Sequence, residues 1–252
     1  MGSMLRIERN STGLARLLSA LAVSCLLGSS AACGGGSDGA PAAVPRVTPG
    51  DWAVLGSSTA AGAGAPTDQG WVARLSAAQQ SNGVVMNNLA RSGLMTSQAL
   101  PVGTPLAPGR AAPDPSVNVD RALALSPKLV IIAFPTNDAV AGIPAAETVA
   151  HWQLMRQRAA EVGTATLVLS TQPRDGLDAT QRVALDDTDR LAADAFGVCF
   201  VALRAALSDA QGGIAAAYSA GDGVHLNAEG HRIVAERVTA LLAAGRCVRL
   251  TG

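Results

Sequence analysis

Five short apolar runs, rich in β-branched residues, alternate along this chain with stretches of helical periodicity, and this alternation limits the possible folds more than any other feature. The runs predict strands at Asp51 to Leu55, Val84 to Asn88, Lys128 to Phe134, Ala165 to Ser170 and Val198 to Val201. Helical spacing predicts helices over residues 71–80, 117–126, 145–162 and 179–196, and a last helix from its cap Asn227 roughly to Leu242. This order is typical of an α/β fold with three layers, so we predict a flavodoxin-like parallel five-stranded sheet with helices on both faces.

The first thirty-odd residues differ from the rest of the chain and are not expected to belong to this fold. Three arginines near the start precede an apolar stretch at residues 17–27. That stretch has the length of a signal-peptide core and is too short for a membrane span, which needs about 20 apolar residues. Small residues then lead to Cys33. We expect residues 1–32 to be a signal of the bacterial lipoprotein type, with Cys33 lipidated; ordinary cleavage near Ala32 is the alternative.

Residues 33–49 consist mainly of glycine, alanine, proline and serine, and this composition predicts a flexible tether. The remaining residues, 50–252, have the length of one α/β domain. Removal of residues 1–32 takes away three arginines and one glutamate, which leaves 16 basic and 18 acidic residues and a net charge of −2. The chain has no basic stripe, so we expect no nucleic-acid partner, and contact with a membrane only through the lipid anchor.

Two cysteines, Cys199 and Cys247, remain in the expected domain. An exported protein meets an oxidising compartment, in which the two can form a disulfide. Two buried free thiols are the alternative, and the sequence leaves both open. The spacing of the cysteines matches no metal-binding pattern, so no metal site is expected.

A serine, Ser58, follows the first predicted strand within the segment Gly56-Ser57-Ser58-Thr59. At such a turn a serine can expose its hydroxyl and donate its backbone N–H to the same pocket. A serine hydroxyl is a weak nucleophile that needs a base and a group that orients the base. The same residues also form common turns and helix caps. The surrounding Gly-x-Ser-x-Ala pattern differs from the Gly-x-Ser-x-Gly elbow of α/β-hydrolases.

An aspartate lies three residues before a histidine near the end of the chain, at Asp222 and His225. A catalytic histidine needs a carboxylate that fixes its tautomer and stabilises its cation, and one loop here supplies both. The chain has three histidines. We interpret His151, in a helix beside Trp152, as a surface or half-buried residue, and His231, in the last helix, as structural. His225 is therefore the candidate base.

Two further segments follow predicted strands, at the edge of a parallel sheet where ligands bind. Asn137 comes after the third strand, and its side-chain amide can point into a pocket there. Gly93 comes after the second strand, where a glycine lets backbone N–H groups approach a ligand. Each is also an ordinary turn former, so neither identifies a site by itself.

Taken in order, these four segments resemble the sequence blocks of the SGNH (GDSL-like) hydrolase superfamily over most of the expected domain, from about residue 54 to residue 234. The family's serine, glycine and asparagine blocks correspond to Ser58, Gly93 and Asn137. The run Asp222-Gly223-Val224-His225-Leu226-Asn227, followed by Gly230-His231, is an especially close match to its Asp-x-x-His block.

The resemblance implies a role for each matched residue. Ser58 is expected to be the nucleophile, His225 the base and Asp222 the group that orients it. The backbone N–H groups of Ser58 and Gly93 and the side-chain amide of Asn137 are expected to form the oxyanion hole. Enzymes of this kind need no cofactor and no metal.

Two positions depart from the family pattern. Ser57 stands where the family usually has aspartate, and Pro135 stands where it usually has glycine. Neither departure removes a catalytic group, although Pro135 fixes the loop backbone and can reshape one wall of the pocket.

Arg174 follows the fourth predicted strand, where it can hold an anionic or hydroxylated substrate. A solvated pair with Asp175 is the alternative.

The sequence therefore predicts an exported serine esterase, periplasmic or at the cell surface, that is lipid-anchored at Cys33. The resemblance suggests a small-molecule or carbohydrate ester as substrate, with an acetyl, short aryl or lipid group. Seven aromatic residues are too few for a long aromatic sugar platform. An acyltransferase of the same fold and a non-catalytic binding lipoprotein are the alternatives.

Overall fold

The computed structural model describes residues 43–251; the predicted signal segment, Cys33 and most of the predicted tether lie outside them. The strands in this range are β1 (Arg46–Val47), β2 (Gly50–Gly56), β3 (Val84–Asn88), β4 (Leu129–Ala133), β5 (Ala165–Leu169), β6 (Phe200–Val201) and β7 (Arg249–Leu250). Its α-helices are α1 (Trp71–Gln79), α2 (Val119–Leu123), α3 (Asn137–Val140), α4 (Ala145–Ala160), α5 (Ala179–Phe196), α6 (Arg204–Leu207) and α7 (Ala228–Ala244). None of the helices between residues 43 and 251 is long and apolar enough to cross a membrane.

A five-stranded parallel sheet forms the centre of the domain, in the order β3-β2-β4-β5-β6. The predicted α/β fold is confirmed. β2 lies between β3 and β4, so the strand order reverses on its two sides. In sheets of this kind the ligand binds beyond the carboxyl ends of the strands at the reversal. The loop that leaves β2 therefore lies at the expected binding position.

Successive side chains of the strands enter two different apolar layers, because neighbouring residues of a strand point to opposite faces of the sheet. Trp52 and Val54 of β2 pack with residues of α1 and α7 on one face. Ala53 and Leu55 pack with residues of α2, α4 and α5 on the other face. Every residue of β4 is buried, as expected for a parallel strand that helices cover on both sides.

A small second sheet joins the two ends of the described chain. β1 pairs in parallel with β7, and Val47 is only 2% exposed. Residues 46–47 fall within the segment that the sequence predicts to be a flexible tether. The tether is predicted from the lack of large side chains, but the pairing of β1 with β7 is made by backbone groups. The N–H of Arg249 donates to the carbonyl of Pro45 at 2.8 Å, and the N–H of Thr251 donates to the carbonyl of Val47 at 3.0 Å.

Cys199 and Cys247 form a disulfide, one of the two alternatives that the sequence leaves open. The bond links the segment before β6 to the segment before β7 across 48 residues of sequence. The sulfur of Cys247 lies 3.7 Å from the carbonyl oxygen of Thr166, near the start of β5. The disulfide is therefore at the amino end of the sheet, opposite the loops that carry the candidate site.

Two predicted elements are shorter than expected. The predicted strand from Val198 is reduced to Phe200–Val201 because residues 197–199 form a 3₁₀ turn. The predicted helix over 117–126 is reduced to α2, since the side chain of Asn118 accepts the N–H of Arg121 and starts the helix there. Both differences concern element ends and leave the sheet order unchanged.

Candidate active site

The serine loop, residues 57–65, begins where β2 passes close to β4. A Cβ atom at Gly56 would lie only 2.7 Å from the carbonyl oxygen of Ala133, so this position needs a glycine. The chain then turns, and the N–H of Ala61 donates to the carbonyl of Ser57 at 3.0 Å. Ser58 is half-buried at this turn.

A series of hydrogen bonds joins Ser58 to two residues from the far end of the sequence. Nε2 of His225 lies 3.0 Å from Oγ of Ser58, and Nδ1 of His225 lies 2.6 Å from Oδ2 of Asp222. An ionised carboxylate can only accept, so Nδ1 carries the proton and the neutral ring offers Nε2 as the acceptor for the serine hydroxyl. The structure thus brings together the three side chains that the sequence singles out as nucleophile, base and orienting acid.

The loop of residues 221–226, named the catalytic loop after the role expected of His225, holds Asp222 through its own backbone. Oδ1 of Asp222 accepts the N–H groups of Val224 at 2.9 Å and of His225 at 2.8 Å. The backbone N–H of His225, its imidazole and the N–H of Val224 hold the pKa of the Asp222 carboxyl well below its usual range. The carboxylate therefore stays charged beside a ring that is 23% exposed.

Gly93 and Asn137 follow β3 and β4 at the same end of the sheet. Gly93 has φ +81°, a left-handed conformation that favours glycine. Nδ2 of Asn137 donates to the carbonyl of Leu94 at 2.9 Å, which links the two loops and leaves the second amide hydrogen available. Within residues 43–251 the backbone N–H groups of Ser58 and Gly93 have no acceptor. Each of these three groups therefore has a hydrogen available for another acceptor.

Arg174 contacts the asparagine loop, residues 134–137 after β4, rather than its sequence neighbour Asp175. Its Nη1 lies 3.3 Å from Oγ1 of Thr136, the residue before Asn137. Asp175, the alternative partner, accepts the backbone N–H of Ile214 at 2.8 Å. Arg174 forms no salt bridge with the described residues. A positive charge without a carboxylate partner thus lies beside the asparagine loop.

His151 is buried, whereas the sequence predicts a surface or half-buried residue. Its Nδ1 lies 2.6 Å from Oγ1 of Thr96, and the same hydroxyl donates to Asp138. Oδ1 of Asp138 accepts the backbone N–H of Thr96 at 3.0 Å. Burial lowers the pKa of His151. The helical pattern could not show this environment, because Thr96 lies 55 residues away in sequence.

His231 is fully buried and uses both ring nitrogens. Nδ1 accepts the backbone N–H of Trp71 at 3.2 Å, and Nε2 donates to the carbonyl of Ala63 at 3.0 Å. The ring therefore joins α7 to the start of α1 and to the loop that follows Ser58. Its burial lowers the pKa of His231.

Two spaces of different size adjoin the serine loop. An open groove of about 510 Å³ is lined mainly by small residues, among them Ala60, Gly62 and Ser92. A cavity of about 20 Å³, lined in part by Thr59 and Pro135, lies behind the loop. The cavity has room for about one water molecule, so only the groove can hold a larger group.

The parallel sheet thus carries a hydrogen-bonded serine, histidine and aspartate beyond the carboxyl ends of its strands. The chain belongs to the GDSL-like Lipase/Acylhydrolase family, whose sequence pattern matches residues 54–233. Comparison with curated proteins gives no significant match.

Several solved structures share the fold. TesA is 22% identical, with a TM-score of 0.57 over 77% of this chain and 98% of its own. Acetyl xylan esterase AlAXEase is 15% identical, with a TM-score of 0.57 over 75% of this chain and 98% of its own. The psychrotrophic esterase EstA from Pseudoalteromonas sp. is 14% identical, with a TM-score of 0.53 over 77% of this chain and 97% of its own. The protein is an ester hydrolase of the GDSL type with the SGNH hydrolase fold.

Proposed function

We propose that Ser58, His225 and Asp222 hydrolyse esters of acetyl or other short acyl groups through an acyl-enzyme on Ser58. The supporting observation is the 3.0 Å separation between Nε2 of His225 and Oγ of Ser58, on a ring whose Nδ1 is held by Asp222. A general base must lie within hydrogen-bond reach of the proton that it removes. This arrangement meets that condition without any movement.

The reaction has two halves. Oγ of Ser58 attacks the carbonyl carbon while Nε2 of His225 takes the hydroxyl proton. The tetrahedral intermediate then expels the alcohol, which receives that proton from the imidazolium, and the acyl group stays on Ser58. In the second half a water molecule gives a proton to Nε2 and attacks the acyl carbon; the acid leaves and Ser58 recovers its proton. Asp222 stabilises the cation on His225 in both halves.

The oxyanion of each tetrahedral intermediate is assigned to three donors from three loops. They are the backbone N–H groups of Ser58 and Gly93 and the side-chain amide of Asn137. Donors that are fixed before the reaction stabilise the charge that develops in the transition state without reorganisation. The hydrogen bond from Asn137 to Leu94 supplies this fixation for the amide.

The proposal of a short acyl group rests on the family to which the chain belongs, whose pattern matches residues 54–233. Pro135, where the family usually has glycine, lines a small internal cavity of about 20 Å³ together with Thr59. One structural neighbour is named an acetyl xylan esterase, which is in line with an acetyl substrate.

We further propose that Arg174 binds an anionic or hydroxylated part of the substrate, such as a carbohydrate.

A series of 4-nitrophenyl esters from acetate to decanoate tests the reaction and the acyl preference together. We expect kcat/KM to be highest for the shortest esters and to fall with chain length. Ser58→Ala should reduce hydrolysis to background. Ser57→Ala is the matched control, because its buried hydroxyl has no partner among the described residues, and it should stay active. Full activity in a folded Ser58→Ala protein would exclude the proposed nucleophile.

The same assay separates hydrolysis from acyl transfer. With an added sugar alcohol, a hydrolase releases the free acid in proportion to 4-nitrophenol. A transferase instead forms a new ester at the expense of the acid. We expect the free acid to remain the main product.

We also propose that the protein is exported and anchored to a membrane through a lipid on Cys33. The proposal rests on the short apolar core and the small residues that precede this cysteine. Its active domain would then face the periplasm or the cell exterior.

A further inference from the structure

One buried glutamine contacts both of the segments that supply the proposed nucleophile and base. Gln172 lies three residues beyond β5 and is only 3% exposed. Its Oε1 accepts the hydroxyl hydrogen of Thr59 at 3.0 Å, and its Nε2 donates to the backbone carbonyl of Val224 at 2.8 Å. Thr59 directly follows Ser58, and Val224 directly precedes His225.

The chemistry of the two partners fixes the orientation of this amide. A backbone carbonyl can only accept, so the NH₂ group of Gln172 must face Val224. The amide oxygen then faces Thr59, whose hydroxyl donates to it. A reversed amide would place its oxygen against the carbonyl oxygen of Val224 and lose that bond. Gln172 is therefore held between the two loops in a single orientation.

The segment that carries Gln172 is itself anchored to the rest of the domain. The backbone N–H of Thr171 donates to Oδ1 of Asp189 on α5 at 2.7 Å. The backbone N–H of Asp175 donates to the carbonyl of Gly223 at 2.8 Å. Together with Gln172, this segment holds two successive carbonyls of the catalytic loop. The side chain of Asp222 is half exposed, so its position depends on the backbone that carries it.

We propose that Gln172 is a positioning residue that sets the distance between Ser58 and His225, an inference that rests on the proposed function. The two catalytic residues lie 167 positions apart in sequence, on the loop after β2 and on the loop before α7. The amide of Gln172 spans the gap between these loops. Without it the direct link between Thr59 and Val224, the residues next to Ser58 and His225, is lost. A displacement of about 1 Å between reacting groups can lower a rate by about a hundredfold.

Gln172→Met tests the proposal, because it keeps the length of the side chain and removes both hydrogen bonds. We expect kcat for 4-nitrophenyl acetate to fall by about tenfold to a hundredfold, with KM changed little, since the open groove is not altered. The rate at which Ser58 reacts with a phosphonate ester should fall by a similar factor, because that reaction uses the same proton transfer. Gln79→Met is the matched control: Gln79 is also buried and bonds to Asn82, at the other end of the sheet.

Two substitutions of Thr59 separate the hydrogen bond from packing. Thr59→Ser keeps the hydroxyl and should keep kcat near the wild-type value. Thr59→Val removes the donor with little change in volume and should lower kcat. In the Thr59→Val background, Gln172→Met should cause a smaller further loss than it does in the wild type, because the shared bond is already absent.

Each outcome decides for or against the role of Gln172. A folded Gln172→Met protein with wild-type kcat and phosphonate reactivity overturns it, and so does an equal loss of kcat in Gln79→Met. If Gln172→Met does not fold, Thr59→Val decides, and an unchanged kcat there counts against the proposal. Ser58→Ala tests the underlying function: activity in that variant removes the whole assignment, whereas its loss beside an unaffected Gln172→Met removes only the positioning role.

Discussion

The side-chain amide of Asn137 donates a hydrogen bond to the backbone carbonyl of Leu94 at 2.9 Å. The contact ties the loop after β4 to the loop after β3, one residue beyond Gly93. It uses one amide hydrogen and fixes the direction of the other. The oxyanion role proposed for Asn137 therefore depends on a side chain that is already anchored before a substrate binds.

Asn137→Ala is expected to lower kcat by roughly 10²–10³, about 3–4 kcal/mol, with little change in KM. The reason is that the amide acts mainly on charge that is present in the transition state. Steady-state kinetics, measured beside a melting curve, checks this. In combination with Ser58→Ala the further loss should be small, because the acyl-enzyme route is already blocked. A destabilised but fully active Asn137→Ala protein would instead show that Asn137 only shapes the turn.

Two buried histidines are expected to make stability fall on the acid side. Burial lowers the pKa of His151 and of His231 below the usual value of about 6.5. The unfolded chain therefore binds more protons than the folded chain below that pH. Their contribution is present above about pH 6.5 and is lost as the pH falls through the lowered values. The loss amounts to at most about 1.4 kcal/mol per pH unit for each histidine.

Urea unfolding between pH 5 and pH 8 measures this dependence. His151→Gln and His231→Gln should each reduce the slope of the unfolding free energy against pH, whatever they do to its absolute value. An unchanged slope in both variants would show that these rings do not determine the acid sensitivity in this range.

Asp189 is expected to act in the opposite direction. Burial raises the pKa of its carboxyl to about 6, so the folded state favours the protonated form. Its contribution to stability is present below about pH 4 and is lost as the pH rises through 6. Asp189→Asn keeps an oxygen for the N–H of Thr171 and removes the charge. We expect this variant to be about 1–3 kcal/mol more stable than the wild type at pH 8, with a smaller difference at pH 4. Equal unfolding free energies of the wild type and Asp189→Asn at pH 8 would contradict the argument.

The disulfide is expected to contribute to stability without affecting the chemistry. It closes a loop of 48 residues, and replacement of both Cys199 and Cys247 by serine should lower the unfolding free energy by about 2–4 kcal/mol. The bond lies at the amino end of the sheet, so the folded variant should keep its kcat at 25 °C. Denaturant unfolding with and without a reducing agent provides the comparison. A loss of kcat in the folded double variant would show that the two ends of the sheet are coupled.

Lipidation at Cys33 is tested in cells that express the full chain. We expect the wild type to partition into a detergent phase and Cys33→Ser to be soluble or unprocessed. Cys25→Ser is a matched control from within the apolar stretch and should partition as the wild type does. Mature protein that is fully soluble and begins near residue 33 with a free amine would rule out the anchor.

Much of the architecture could be predicted because local patterns determine it. The strand Leu129–Ala133 is a continuous apolar run, and its burial on both faces follows from the alternation with helices. The strand Val84–Asn88 begins with three apolar residues and lies at the edge of the sheet, where Val85 is exposed. Loop position, the Asp-x-x-His spacing and the resemblance to the SGNH sequence blocks single out Ser58, Asp222 and His225, and the structure places them in hydrogen-bond contact. Their chemical roles stay predictions.

The contacts that the sequence did not reveal all depend on residues far apart in the chain. The buried ring of His151 contacts the hydroxyl of Thr96, 55 residues away, and Gln172 bonds to Thr59 across 113 residues. No periodicity or spacing encodes such pairs. The pairing of β1 with β7 was missed for another reason, since it uses backbone groups that every residue carries.

The separation of Ser58 from His225 has a consequence for the synthesis of the chain. A polypeptide emerges amino end first, so Ser58, the proposed nucleophile, is exposed long before the ribosome has made His225, the proposed base. By the proposed mechanism, hydrolysis needs α7 packed against α1, with the loop that precedes it beside the serine. Ester cleavage during refolding should therefore report this docking step, and a nascent chain that still lacks His225 has no base to activate Ser58.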